Sequence, residues 1–105
     1  MKYSDQLKDP RWQRKKNGIL DRDKYTCQLC QATDKTLHVH HKFYLPKLMA
    51  WEYADDCLLT LCFECHHKEG IAMQLFNEAV RELLCAGFIY AELLEQVNLF
   101  KHTKR

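Results

Sequence analysis

From Asp9 to Lys24 the apolar positions Trp12, Ile19 and Leu20 recur at i, i+7 and i+8, which is one side of an α-helix. Arg11, Arg14, Lys15, Arg22 and Lys24 spread over the rest of that surface. Asp9-Pro10 supplies the start signal, Asp as N-cap and Pro at the first helical position. Asn17-Gly18 works against the helix, because an interior Gly costs roughly 1 kcal/mol relative to Ala. Thr36-Leu37-His38-Val39-His40-His41 is β-branched and apolar enough for a short strand, and Leu58-Leu59-Thr60-Leu61 for a second. Between them, residues 42–56 contain Pro46, Trp51 and Tyr53 without a clear period. They read as an ordered loop with one helical turn at Leu48–Tyr53. From His66 the period becomes helical: Ala72, Leu75, Phe76, Ala79, Val80, Leu83 and Leu84 follow i, i+3, i+4 spacing up to Gly87, a C-terminal cap. A second apolar helix, from Phe88 or Ile89 to about Phe100, then folds back as a hairpin. Its Leu93, Leu94, Val97 and Phe100 read as core or as a dimer seam. The pattern predicts a small α+β domain with an N-terminal helix and a C-terminal helical hairpin.

Length and composition narrow this picture. A chain of 105 residues supports one domain, and at this size a structural metal is a useful supplement to the core. Hydrophobic residues make up 47% and charged residues 29%, the balance of a globular protein. No apolar stretch reaches the length of a membrane span, and the opening Met1–Gln6 lacks the apolar run of a signal peptide, so the expected location is cytoplasmic. The formal net charge is only +2, but it is unevenly placed. Residues 1–24 hold eight Lys or Arg against four Asp, and residues 25–100 hold five against ten acidic residues. Lys101, Lys104 and Arg105 add a basic end. Basic ends around an acidic middle suit phosphate contacts, and they suit a solvated helix face with a loose tail equally well.

In a reducing compartment cysteines at close spacing read as metal ligands rather than disulfides. Cys27-x-x-Cys30 and Cys62-x-x-Cys65 each present two sulfurs to one point, and two such turns complete a tetrahedral zinc shell. The segment 31–61 between them is longer than in a simple zinc ribbon, so a substructure sits there. A site with four thiolates has no open position and is structural. Cys57 and Cys85 read as small buried apolar residues.

Five of the six histidines lie between or beside these turns: His38, His40, His41, His66 and His67. Imidazole can serve both as a metal ligand and as a base near neutral pH. Together, Cys27-x-x-Cys30, Leu37-His38-Val39-His40-His41 and Leu58-x-Thr60-Leu61-Cys62-x-x-Cys65-His66 resemble the HNH endonucleases, a ββα-metal fold. Leu7–Trp12 and Trp51-Glu52-Tyr53 are similar to phage- and mobile-element-type members of that family. The resemblance covers roughly residues 7–67 and stops before the C-terminal helices.

That resemblance implies a metal-dependent endonuclease or nickase acting on DNA, double-stranded by expectation, with a core at about 7–70 and an extension at about 71–101. His41 matches the general base, and His40 and His66 match the ligands of a catalytic divalent ion (Mg, Mn or Ni) beside the structural zinc. One position departs from the family: where it has an Asn that helps orient the base, this chain has Cys57. Orientation then falls to Asp55, Asp56 or the Cys57 carbonyl. His38 is expected to make a structural hydrogen bond, and Arg11, Arg14, Lys15, Lys42, His67 and Lys68 are candidates for phosphate contact. His102 receives no role. The scant basic surface points to a protein partner or a homodimer. The competing reading is a zinc-stabilised nucleic-acid-binding module that does not cut.

Overall fold

A computed structural model of the chain describes residues 1–103; the basic Lys104 and Arg105 lie outside the described residues. The chain forms two compact units, Met1–Glu69 and Gly70–Arg105.

In the first unit a short helix, α1 (Tyr3–Gln6), precedes α2 (Pro10–Arg22). Helix α2 starts as its sequence predicts: the Asp9 side chain accepts the Arg11 backbone N–H at 2.8 Å, and Pro10 occupies the first turn. Gly18 does not interrupt the helix; it faces open space, and the flanking anchors Trp12 and Ile19 are buried. The chain leaves α2 through Lys24 and Tyr25, both left-handed with φ of 55° and 53°. Non-glycine residues adopt that region at a cost. The exit is held from outside: Tyr25 N–H donates to the Leu20 carbonyl at 2.9 Å, and Asp23 accepts the Thr60 N–H at 3.0 Å.

Strands β1 (Leu37–His41) and β2 (Leu58–Cys62) pair antiparallel, with Val39 opposite Thr60 and His41 opposite Leu58. The segment between them contains two 3₁₀ turns, Ala50–Glu52, within the predicted turn, and Asp55–Cys57. Alternation divides the sheet into two faces. Val39, His41 and Leu58 join Trp12, Ile19, Ala50 and Tyr53 in the core against α2. Leu61, which points to the second face, packs with Cys27 and Cys62 in a smaller cluster at the end of the sheet. Helix α3 (Phe63–Cys85) begins directly after β2.

In the second unit α3 turns at Gly87 into α4 (Tyr90–Lys101). Gly87 is the C-terminal cap that the sequence predicts. Its φ of +111° is open to glycine, and Phe88 N–H reaches back to the Leu83 carbonyl at 3.1 Å. Of the two readings of Leu93, Leu94, Val97 and Phe100, core or a dimer seam, a core within the chain is not formed. Only Leu93 is half-buried, while Leu94, Val97 and Phe100 are exposed. In this unit the partly buried apolar residues of the two helices are Val80, Leu84 and Leu93. Cys85, read as a buried apolar residue, is exposed as well. No helix among the described residues is long and apolar enough to cross a membrane.

Candidate metal centres

The first Cys-x-x-Cys turn follows the left-handed exit from α2, and the second joins β2 to α3. Each turn points an N–H at its own first sulfur: Cys30 N–H to Cys27 Sγ at 3.5 Å and Cys65 N–H to Cys62 Sγ at 3.4 Å. Gln31, left-handed at φ 67°, closes the first turn by donating to the Cys27 carbonyl. Gln28 N–H donates to the Thr60 carbonyl at 2.9 Å, which ties this turn to β2 beside the second one. All four sulfurs lie within 4.8 Å of one another, and Cys30 Sγ and Cys62 Sγ are 3.8 Å apart. These four cysteines can hold a structural metal such as zinc. Burial raises the Cys27 thiol, but N–H donors from Cys30, Cys62 and Leu29 outweigh it and bring the group down to about 6. Cys65, donating toward Cys62, is pushed up to about 12. Crowded thiols share out protons in this way because the charge of one thiolate disfavours ionisation of the next.

On the second face of the sheet β1 and the first turns of α3 bring three histidines together. The rings of His40 and His66 are 5.2 Å apart and nearly perpendicular, and those of His38 and His66 are 5.5 Å apart and nearly parallel. His40 is 7% exposed. Its Nδ1 and the Nε2 of His38 are buried without any hydrogen-bond partner. Among the described residues, His38 does not make the structural hydrogen bond expected of it. Burial, then the proximity of His66, lowers the pKa of His40, and burial lowers that of His66. Both rings are neutral at neutral pH, the form that ligates metal.

His41, the last residue of β1, points the other way, into the α2 face. It is 1% exposed, stacked on Trp12 at 5.1 Å and edge-on to Tyr53 at 4.7 Å. Strand alternation thus separates His41 from its neighbour His40. A cleft of about 350 Å³ nevertheless reaches both faces around β1, with His41, Tyr3, Trp12 and Lys16 lining it together with His38 and His66.

His41 Nε2 lies 3.0 Å from the Ala50 carbonyl, to which it donates, and this leaves Nδ1 as the basic nitrogen, 3.5 Å from the Tyr3 hydroxyl. Burial lowers the pKa of His41. The carbonyl that orients this ring is therefore Ala50, not one of the three expected groups. Asp55 is paired with Lys15, Asp56 accepts from the Cys57 thiol, and the Cys57 carbonyl accepts the Lys42 N–H. Ala50 is itself fixed by Gln6, whose side-chain oxygen accepts the Ala50 N–H at 2.7 Å. Gln6 and Tyr3 carry no sequence signal, since they lie in a short helix with no apolar period.

Several expected phosphate contacts are engaged elsewhere. Arg11 pairs with Asp9 and stacks over Trp51 at 4.2 Å, Lys15 pairs with Asp55, and Lys42 Nζ donates to the Asp56 carbonyl. His67 stacks on Phe63 at the surface. Among the described residues Arg14, Lys16 and Lys68 make no ion pair.

Comparison with protein-family models, with curated proteins and with solved structures finds no match to this chain.

Proposed function

We propose that the chain is a metal-dependent endonuclease of the HNH type, with β1, β2 and the start of α3 as its ββα-metal core. The observation that carries this reading is the approach of His40 and His66 to 5.2 Å, with a buried, unpartnered nitrogen on His40. Phosphodiester hydrolysis needs a base for water and a cation for charge developing on phosphate. His41 suits the first task. The Ala50 carbonyl holds its tautomer, its unprotonated Nδ1, beside the Tyr3 hydroxyl, is the proton acceptor, and its lowered pKa keeps it neutral at neutral pH. A divalent ion held by His40 and His66 would neutralise charge on the phosphate and on the departing oxygen. Two imidazoles favour Mn, Ni or Zn over Mg. Arg14, Lys16 and Lys68 are free to meet the backbone of double-stranded DNA.

The test is conversion of supercoiled plasmid by the purified protein in EDTA, Mg, Mn and Ni, beside His41→Ala. Metal-dependent nicking is expected, and at least about a 100-fold loss in the variant, the scale of a missing general base. Because burial depresses the His41 pKa, cleavage should persist as pH falls through the ordinary histidine value of about 6.5 and be lost only below it. No cleavage in any metal by folded protein would sink the reading.

One observation favours a second reading, a nucleic-acid-binding module that does not cut. At 1% exposure, under Tyr3 and Trp12, His41 has little room for water. That module would bind DNA with a steep salt dependence and give no cleavage.

A further inference from the structure

We infer that His38 is a third protein ligand of the divalent ion assigned above to His40 and His66, which makes the site a three-imidazole centre with one position open. The inference rests on the nuclease reading for the ion and not for the reaction.

Three observations carry it. The first is spacing. His38 and His40 are two apart on β1, so they share a sheet face, and His66 meets both from α3. Three histidines that leave a fourth position open form a known zinc-site geometry.

The second is distance. With a metal–nitrogen bond of about 2.1 Å, a ring centre lies about 3.2 Å from the ion, and two ligating rings stand about 4.5–5.3 Å apart between octahedral and tetrahedral angles. The centroid separation of His66 from His40, 5.2 Å, sits at the open end of that range, and that from His38, 5.5 Å, lies just beyond it. Among the described residues only the four thiols have ligand atoms all within 4.8 Å of one another. Binding an ion would therefore require the imidazoles to draw inward by side-chain rotation.

The third is the set of unpaired atoms. A structural histidine normally has a hydrogen-bond partner, because a buried polar atom without one costs about 1–3 kcal/mol. His38 Nε2 and His40 Nδ1 have none. A cation between the rings would satisfy both.

A third imidazole also shifts selectivity further from Mg toward Zn, Co and Ni.

The experiment uses protein whose four thiols already carry zinc, titrated with a further equivalent of zinc while histidine ring nitrogens are followed by NMR. Ring nitrogens of His38, His40 and His66 are expected to shift together, and those of His67 and His102 to stay. In parallel, His38→Ala should weaken the second ion by at least about ten-fold, since even residues that only support a ligand cost 10–100-fold in affinity. His38→Asn guards against a packing defect, and an unchanged first zinc in either variant reports an intact fold. A second ion that shifts only His40 and His66, with affinity unchanged in both variants, would overturn the inference and leave the two-ligand nuclease reading standing. Failure of the wild-type protein to take a second ion would overturn both. Binding through all three rings with no plasmid cleavage would leave the inference in place and remove the nuclease.

Discussion

His40 and His41 are adjacent in sequence and opposite in environment. His40 opens onto a cluster of imidazoles with an unpaired nitrogen, and His41 lies between aromatic rings with its Nε2 on a backbone carbonyl. The support under His41 is a short relay: Gln6 fixes the Ala50 N–H, and the Ala50 carbonyl fixes the imidazole. Gln6→Ala leaves a buried N–H unpaired and should destabilise the protein by about 1–3 kcal/mol. Urea unfolding of variant and wild type measures this, and Gln6→Glu, which keeps an acceptor, should recover part of the loss. A change within 0.3 kcal/mol would mean that the relay is not under tension. At this scale the four cysteines and the histidine-rich strand were legible in the sequence, because their spacing is itself the chemistry. Gln6 was not, since one buried amide in a four-residue helix leaves no pattern.

The secondary elements follow their signals closely where a period exists. Helix α2 begins at Pro10 under its Asp9 cap, both strands form where β-branched and apolar residues cluster, and Gly87 ends the second-unit turn of α3. The element joining them is the pair of cysteine turns. They clamp the start of α2's exit to β2 and the end of β2 to α3, over a buried cluster of only Cys27, Leu61 and Cys62. So small a cluster contributes little by itself, and a structural zinc contributes about 10–16 kcal/mol of apparent free energy in comparable peptides. Cys62→Ser, or chelation by a strong zinc ligand, should therefore abolish cooperative melting of the first unit. Circular dichroism with a thiol count checks it, and Cys57→Ser, outside the four-sulfur cluster, should melt like wild type. Retained melting after complete zinc removal would show that the sheet and α2 suffice.

At the scale of the whole molecule the second unit is unusual. Twelve of its large apolar residues, among them Leu75, Phe76, Leu94, Leu99 and Phe100, are more than a third exposed. Exposed apolar side chains in that number would be covered in an interface, and twelve of them are of the order needed for the roughly 800 Å² per partner of a standard one. A homodimer through the hairpin is the proposal the sequence reading left open. Light scattering across a concentration series should give twice the chain mass, and Leu94→Glu with Phe100→Ser should return the monomer. A wild-type monomer at high concentration would exclude it.

Sequence by itself determined the local features: helix and strand positions, the capping residues, and the cysteine and histidine sets. Each of these depends on neighbours within a turn or a strand, so each leaves a period or a spacing. Tertiary structure decided which chemistry-bearing groups meet. It set His38 beside His66 and gave His38 no hydrogen bond. It packed His41 against Trp12 and Tyr53, and it assigned the orienting carbonyl to Ala50 rather than to Cys57 or its neighbours. Those outcomes depend on strand alternation, on the register of β1 with β2 and on where a loop without period returns its backbone. They arise between segments far apart in the chain.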